Sequence, residues 1–171
     1  MKKLMLLLGV VLLTIPSPFA GKNNASPKKN KLIVEKISET RELAPGEAIK
    51  FMSDSICRSL GIPSQLVREI GQNESGWQCI RSLSGGTDYG DLQVVESTFN
   101  FWYDRLDLEG GKTRENYLIV GIHYLKYLHT RYGSWEKARF AYARGHWRNK
   151  TTWTCLEEKF MNKINWRKYD V

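Results

Sequence analysis

Residues 63–77 read PSQLVREIGQNESGW, from Pro63 to Trp77. Wound at about 100° per residue, the stretch gathers Leu66, Val67, Ile70, Glu74 and Trp77 into a sector of roughly 100°, one face of a helix. Pro63 suits the first position of such a helix, where its fixed φ is already helical and its missing N–H is not needed. One carboxylate, Glu74, therefore sits on the apolar face, in the last turn, beside an indole. Desolvation at such a place disfavours the charged form, and the negative end of a helix disfavours a further anion. A carboxyl that keeps its proton near neutral pH is what general-acid cleavage of a glycosidic bond requires. The pattern alone leaves another arrangement open, in which Glu74 turns outward or pairs with Arg68 or Arg81.

The signals on either side of this helix are also helical. Gly46–Leu60 reads as one helix stopped at Gly61, and the Glu74 helix runs to about Ser75. Residues 76–96 contain Gly76, Gly85, Gly86 and Gly90 with little helical periodicity, and read as loop with a small β-ribbon. A helix is expected to begin near Ser97. The strongest helical pattern is Arg114–Arg131, with Thr113 as cap and Gly133 as stop. Ser134 caps another helix through about Tyr142, and Thr154 with Glu157 fits a capping box for a C-terminal helix. No internal repeat is visible. The expected class is α+β, predominantly α, with a small irregular or β insert after the acid-bearing helix.

The chain has 171 residues, 42% hydrophobic and 26% charged, enough for one domain with its own core. No apolar run reaches the ~20 residues of a membrane-spanning helix. Cys57, Cys79 and Cys155 are too few for a disulfide scaffold and show no CxxC pattern. His123, His129 and His146 do not fall at zinc-ligand spacing, so no metal is implied. The net charge of +8 suits an anionic partner. At the start, Lys2 and Lys3 precede an apolar run from Leu4 to Ile15, which Pro16 and Pro18 break before Ala20. This is the layout of a secretory signal peptide over residues 1–20. The alternative is an uncleaved anchor, against which the shortness of the run and its prolines argue. A basic, Lys-, Asn- and Pro-rich flexible spacer comes next over 21–45, then a domain over 46–171. Secretion to the periplasm or cell envelope argues against nucleic acid and cytosolic cofactors, leaving a basic nucleic-acid binder the weakest alternative; it leaves no stable membrane span after cleavage, and favours an envelope polymer. It also permits a disulfide. Cys57 and Cys79 flank a helix and lie on the order of 24 Å apart, so any bridge is expected to use Cys155.

More segments come in order along the chain. Asn73–Trp77 is NESGW; Gln93 lies inside GTDYGDLQV (86–94); ENYLIVGIHYLKYL occupies 115–128; and AYARG occupies 141–145. Together they resemble the lytic transglycosylases of the soluble lytic transglycosylase domain type, in the lysozyme-like superfamily, including secretion- and conjugation-associated forms. That family carries E-S at the end of its catalytic helix, then G-L-M-Q, an N-x-x-x-G-x-x-Y-L helix and A-Y-N-x-G. The resemblance covers residues 61–145. It implies a lysozyme-like fold and cleavage of the β-1,4 bond between N-acetylmuramic acid and N-acetylglucosamine of peptidoglycan strands, with 1,6-anhydro products. It implies no cofactor. A monomer is expected, with envelope-spanning secretion machinery as a candidate partner.

By the same resemblance, Glu74 matches the catalytic acid/base and Ser75 a residue near the substrate's N-acetyl group. Gln93 matches a cleft-lining residue, and Tyr142 one bordering the catalytic site. Asn116, Gly121, Tyr124 and Leu125 match the buried helix. The chain departs from the family pattern at Asp91, usually apolar, at Ala143, usually Asn, and at Arg144, usually small. GTDYGDLQV is also similar to the S-T-D-Y-G-I-L-Q-I of animal-type lysozymes, where the Asp is a second catalytic carboxylate. Here that position is Asp88, read either as such a carboxylate or as a cap for the turn before Gly90. A hydrolytic muramidase using Glu74 and Asp88 therefore stands as an alternative, and a noncatalytic peptidoglycan-binding factor as another. Among the aromatics, Trp77 and Trp102 are the expected cleft residues.

Overall fold

The computed structural model describes residues 45–82 and 85–170. The expected signal peptide, and the spacer up to residue 44, lie outside the described residues. Among the described residues are six α-helices, in order α1 (Pro45–Leu60), α2 (Ser64–Glu74), α3 (Glu96–Arg105), α4 (Arg114–Tyr132), α5 (Trp135–Arg144) and α6 (Cys155–Met161). Short 3-10 turns lie at Lys150–Thr152 and Trp166–Lys168.

Local chemistry sets most of these boundaries. The Thr113 and Ser134 side chains accept hydrogen bonds from the Asn116 and Lys137 N–H groups, which would otherwise be orphans of the first turns of α4 and α5. Gly133 ends α4 in the left-handed conformation at φ 70°. Both halves of the Thr154–Glu157 capping box are present on α6. Pro63 is the cap residue of α2 rather than its first helical residue, with extended φ and ψ.

The expected β-ribbon is not formed. Between α2 and α3 the described residues show no strand, only isolated bridges from Tyr89 to Arg81 and to Val94. The backbone explains this. Trp77, Gly85, Gly90 and Gln93 all have positive φ, so the chain reverses too often for two successive residues to pair. The insert is an irregular loop and the domain is mainly helical.

The helix α4 lies at the centre. α1, α3 and α5 pack on it, α2 packs on α1, and α6 packs on α5. Every residue from Asn116 to Ile122 is buried, as expected of a helix covered on all sides. Ile56, Leu66, Val67, Ile70, Phe99, Leu118, Ile122 and Phe140 fill the surrounding core. Each such side chain contributes about 1.5–3 kcal/mol of transfer free energy.

Gly121 is the point of closest approach on α4. A Cβ there would lie 2.9 Å from Leu92 Cδ1, 3.0 Å from Val94 Cγ2 and 3.1 Å from Tyr142 Oη. Only a residue without a side chain lets the loop and α5 reach the central helix together. Gly121→Ala is expected to cost about 1–3 kcal/mol by overpacking, read as a fall in thermal midpoint. The three cysteines are free, and Cys57 is buried, its thiol pushed up to about 12 by desolvation. A thiol reagent applied to the native chain should modify exposed Cys155 readily and leave Cys57 unmodified until unfolding.

Candidate active site

Glu74 is the last residue of α2, and the backbone turns sharply after it. Gly76 and Trp77 adopt consecutive left-handed conformations, at φ 65° and 61°. This folds Trp77 back along the helix it was expected to extend. Its Nε1 donates to the Arg68 carbonyl at 3.0 Å. Its ring lies so close to Gly71 that a Cβ there would sit 2.6 Å from Trp77 Cε2. Trp77 is buried and props the end of α2. Trp102 is buried as well, among Tyr124 and Tyr127 at centroid distances of 6.2 and 5.5 Å. Neither tryptophan forms the open cleft wall expected of it.

The carboxylate of Glu74 meets Arg139 of α5. Arg139 Nη2 donates to Glu74 Oε1, with the two side chains 2% and 18% exposed. The candidate partners in the sequence are engaged elsewhere. Arg68 grips Asp54 through two hydrogen bonds of 2.9 and 2.6 Å, and Arg81 lies over the Tyr89 ring at 5.9 Å. The Arg139 guanidinium rests on the Phe160 ring at 4.3 Å and lies 5.8 Å from that of Tyr142. Burial pulls it below its ordinary value, while Glu74 and Tyr142 oppose that pull. Its Nη1 is buried with no hydrogen-bond partner among the described residues. Arg139 was missed in the sequence, although a signal was there. Trp135, Ala138, Arg139 and Tyr142 fall at i, i+3, i+4 and i+7 of α5, so an arginine stands on that helix's apolar face.

The loop between α2 and α3 is tied to the same place. Ser75 Oγ donates to the Asp91 carbonyl at 2.8 Å. Gln93, itself left-handed at φ 49°, donates through Nε2 to the Ile80 and Gly90 carbonyls at 3.0 and 2.9 Å. Tyr142 Oη donates to the Leu92 carbonyl at 3.0 Å, and burial pushes its phenol well up from the ordinary value. Ser75, Gln93 and Tyr142 thus hold residues 90–93 against the end of α2. The Asp91 departure has a local answer: its fully buried side chain accepts from Arg114 Nε at 2.8 Å and Nη2 at 2.6 Å. Arg114 Nη2 also donates to the Trp77 carbonyl at 3.0 Å, so one guanidinium clamps both ends of the turn. Asp88 is half-buried, its carbonyl accepting from Ser82 N–H at 3.0 Å, and its charge acts on Tyr142. Ala143 is exposed, and Arg144 pairs with Glu157 at 3.3 Å.

Chemically, the site is one carboxyl group at a helix end, engaged by a buried guanidinium and followed directly by the residue that anchors a hydrogen-bonded loop. That arrangement can give up and take back a proton at a fixed point. No match was found among curated proteins or solved structures. The family model of the transglycosylase SLT domain matches residues 53–163, from within α1 to just beyond α6. With Glu74, the loop and the α5 segment all inside that match, the chain belongs to the transglycosylase SLT domain family, of the lysozyme-like superfamily.

Proposed function

We propose that the chain is an exported peptidoglycan lytic transglycosylase, cutting the β-1,4 bond between N-acetylmuramic acid and N-acetylglucosamine. Glu74 carries this reading: it is the carboxyl group that the end of α2 presents to Arg139 of α5, next to Ser75, which ties down the 90–93 loop. In the first step Glu74 protonates the bridging oxygen as its bond to the muramic C1 breaks. The substrate's own acetamide oxygen supports the developing positive charge at C1. In the second step the Glu74 carboxylate takes the proton of the muramic C6 hydroxyl, whose oxygen attacks C1. The products are a 1,6-anhydro sugar and a free N-acetylglucosamine end, and Glu74 recovers its proton. Ser75, Gln93 and Tyr142 shape the wall against which the sugar lies, and Asp88 offers an acceptor for a sugar hydroxyl. The basic chain suits a polymer bearing lactyl and peptide carboxylates. Export rests on the leader at residues 1–20.

Glu74→Gln is expected to lower lysis of purified sacculi by ~10²–10⁴-fold or more, because the transferable proton is gone. It should also lower the thermal midpoint. Arg139 keeps an acceptor in Gln but loses its counter-charge, and stripping a partner from a buried pair costs about 3–5 kcal/mol when nothing replaces it. Near-wild-type lysis by the variant would remove Glu74 from the mechanism.

A hydrolytic muramidase is the second reading, favoured by Asp88 in its lysozyme-like segment. A retaining enzyme of that kind needs its two carboxyl groups about 5–5.5 Å apart and the second ionised. The transglycosylase needs no protein nucleophile. Asp88→Asn should therefore keep measurable activity, reduced by ~10-fold, about one hydrogen bond's worth. Mass analysis of the sugar ends should still show anhydro products. Reducing muramic ends from the wild type, with a folded but inert Asp88→Asn variant, would make the muramidase the better reading.

A further inference from the structure

Arg139 stands where the α5 pattern calls for an apolar side chain, and it is 2% exposed. Its charge is directed at Glu74 Oε1 through Nη2. The face of its guanidinium is covered by Phe160, and Nη1 is left without a partner among the described residues. A cation is expensive to bury and is not needed here to fill space, since an aliphatic side chain would pack against Phe160 and Tyr142 at less cost. Its geometry is useful to the acid. A guanidinium has donors and no acceptor, so the oxygen it engages must accept in both protonation states of Glu74. Oε1 is that oxygen; a carbonyl oxygen accepts better than a hydroxyl oxygen, which favours the transferable proton on Oε2.

We propose that Arg139 is a positioning residue for Glu74, fixing the rotamer of its carboxyl group and selecting Oε2 as the proton-bearing atom. The inference rests on the transglycosylase reading above. The positive charge faces the carboxylate, the form that takes the C6 hydroxyl proton in the second step. The other groups bearing on the pair are few. Tyr142 and Arg144 of α5 act on Arg139, and Asp88 of the loop and Tyr124 of α4 act on Tyr142. From α6 the neighbour is the uncharged Phe160, while Glu157 is engaged by Arg144 and Arg148.

The test is the pH–rate profile of sacculus lysis by the full chain, for the wild type, Arg139→Met and Arg139→Lys. Arg139→Met removes the cation beside the carboxyl group, so the basic limb should move to higher pH. Its kcat at the optimum should fall by ~10-fold as the rotamer loosens, with KM little changed. Arg139→Lys restores the charge without the planar fork, so the limb should return while kcat recovers only in part. If Arg139→Met does not fold, Arg139→Gln, which keeps a donor and drops the charge, gives the same reading. An unmoved basic limb in a folded, charge-free variant overturns the proposal. A wild type that leaves sacculi intact refutes the transglycosylase reading instead. In that case a carbon-13 titration of the Glu74 carboxyl in wild type and Arg139→Met still decides the coupling. An upward shift in the variant supports it, and coincident titrations overturn it.

Discussion

A guanidinium taken out of water must be met by an anion, and at Arg139 the anion is Glu74. Three elements depend on this pair. α2 supplies the carboxylate in its last turn, α5 the cation, and α6 the Phe160 ring that covers the cation. In many enzymes a catalytic carboxylate is a liability to the fold, and its removal stabilises the protein. Here the same group neutralises a buried charge, so the residue with the best claim to the chemistry is also one that the buried Arg139 of α5 requires.

A second pair, a buried Asp91 with a half-buried Arg114, does comparable work on the loop. Asp91 and Arg114 bring the start of α4 against the turn after Glu74, and Arg114 also holds the Trp77 carbonyl. Around that clamp, Ser75, Gln93 and Tyr142 all direct donors at main-chain carbonyls within the loop. A segment with little regular structure is thereby made rigid by side-chain-to-backbone hydrogen bonds, in place of a sheet ladder. Gly121 allows this because it leaves room on α4 for Leu92, Val94 and the Tyr142 hydroxyl. The departure at Asp91 and the arginine that answers it lie 23 residues apart in the chain, and neither explains itself alone.

What the chain determined by itself is local. Hydrophobic period, caps and stops announced the helices, and the boundaries at Thr113, Gly133, Ser134 and Thr154 fell where short-range hydrogen bonding puts them. The ordered segments around Glu74, Gln93, Gly121 and Tyr142 made the family legible and singled out Glu74 as the candidate acid, because spacing on a helix face is itself a sequence property. The tertiary structure alone decided the partners. Trp77 could be placed on the Glu74 face by winding but not in its reversed turn, since two successive left-handed residues have no periodicity. The ribbon after α2 was lost for a like reason, as positive φ at Gly90 and Gln93 breaks strand pairing. The Glu74–Arg139 contact joins residues 65 positions apart. No propensity or period reaches across that distance; the contact exists because α2, through α1, and α5 are both packed about α4, which brings one cation and one carboxylate together to satisfy each other.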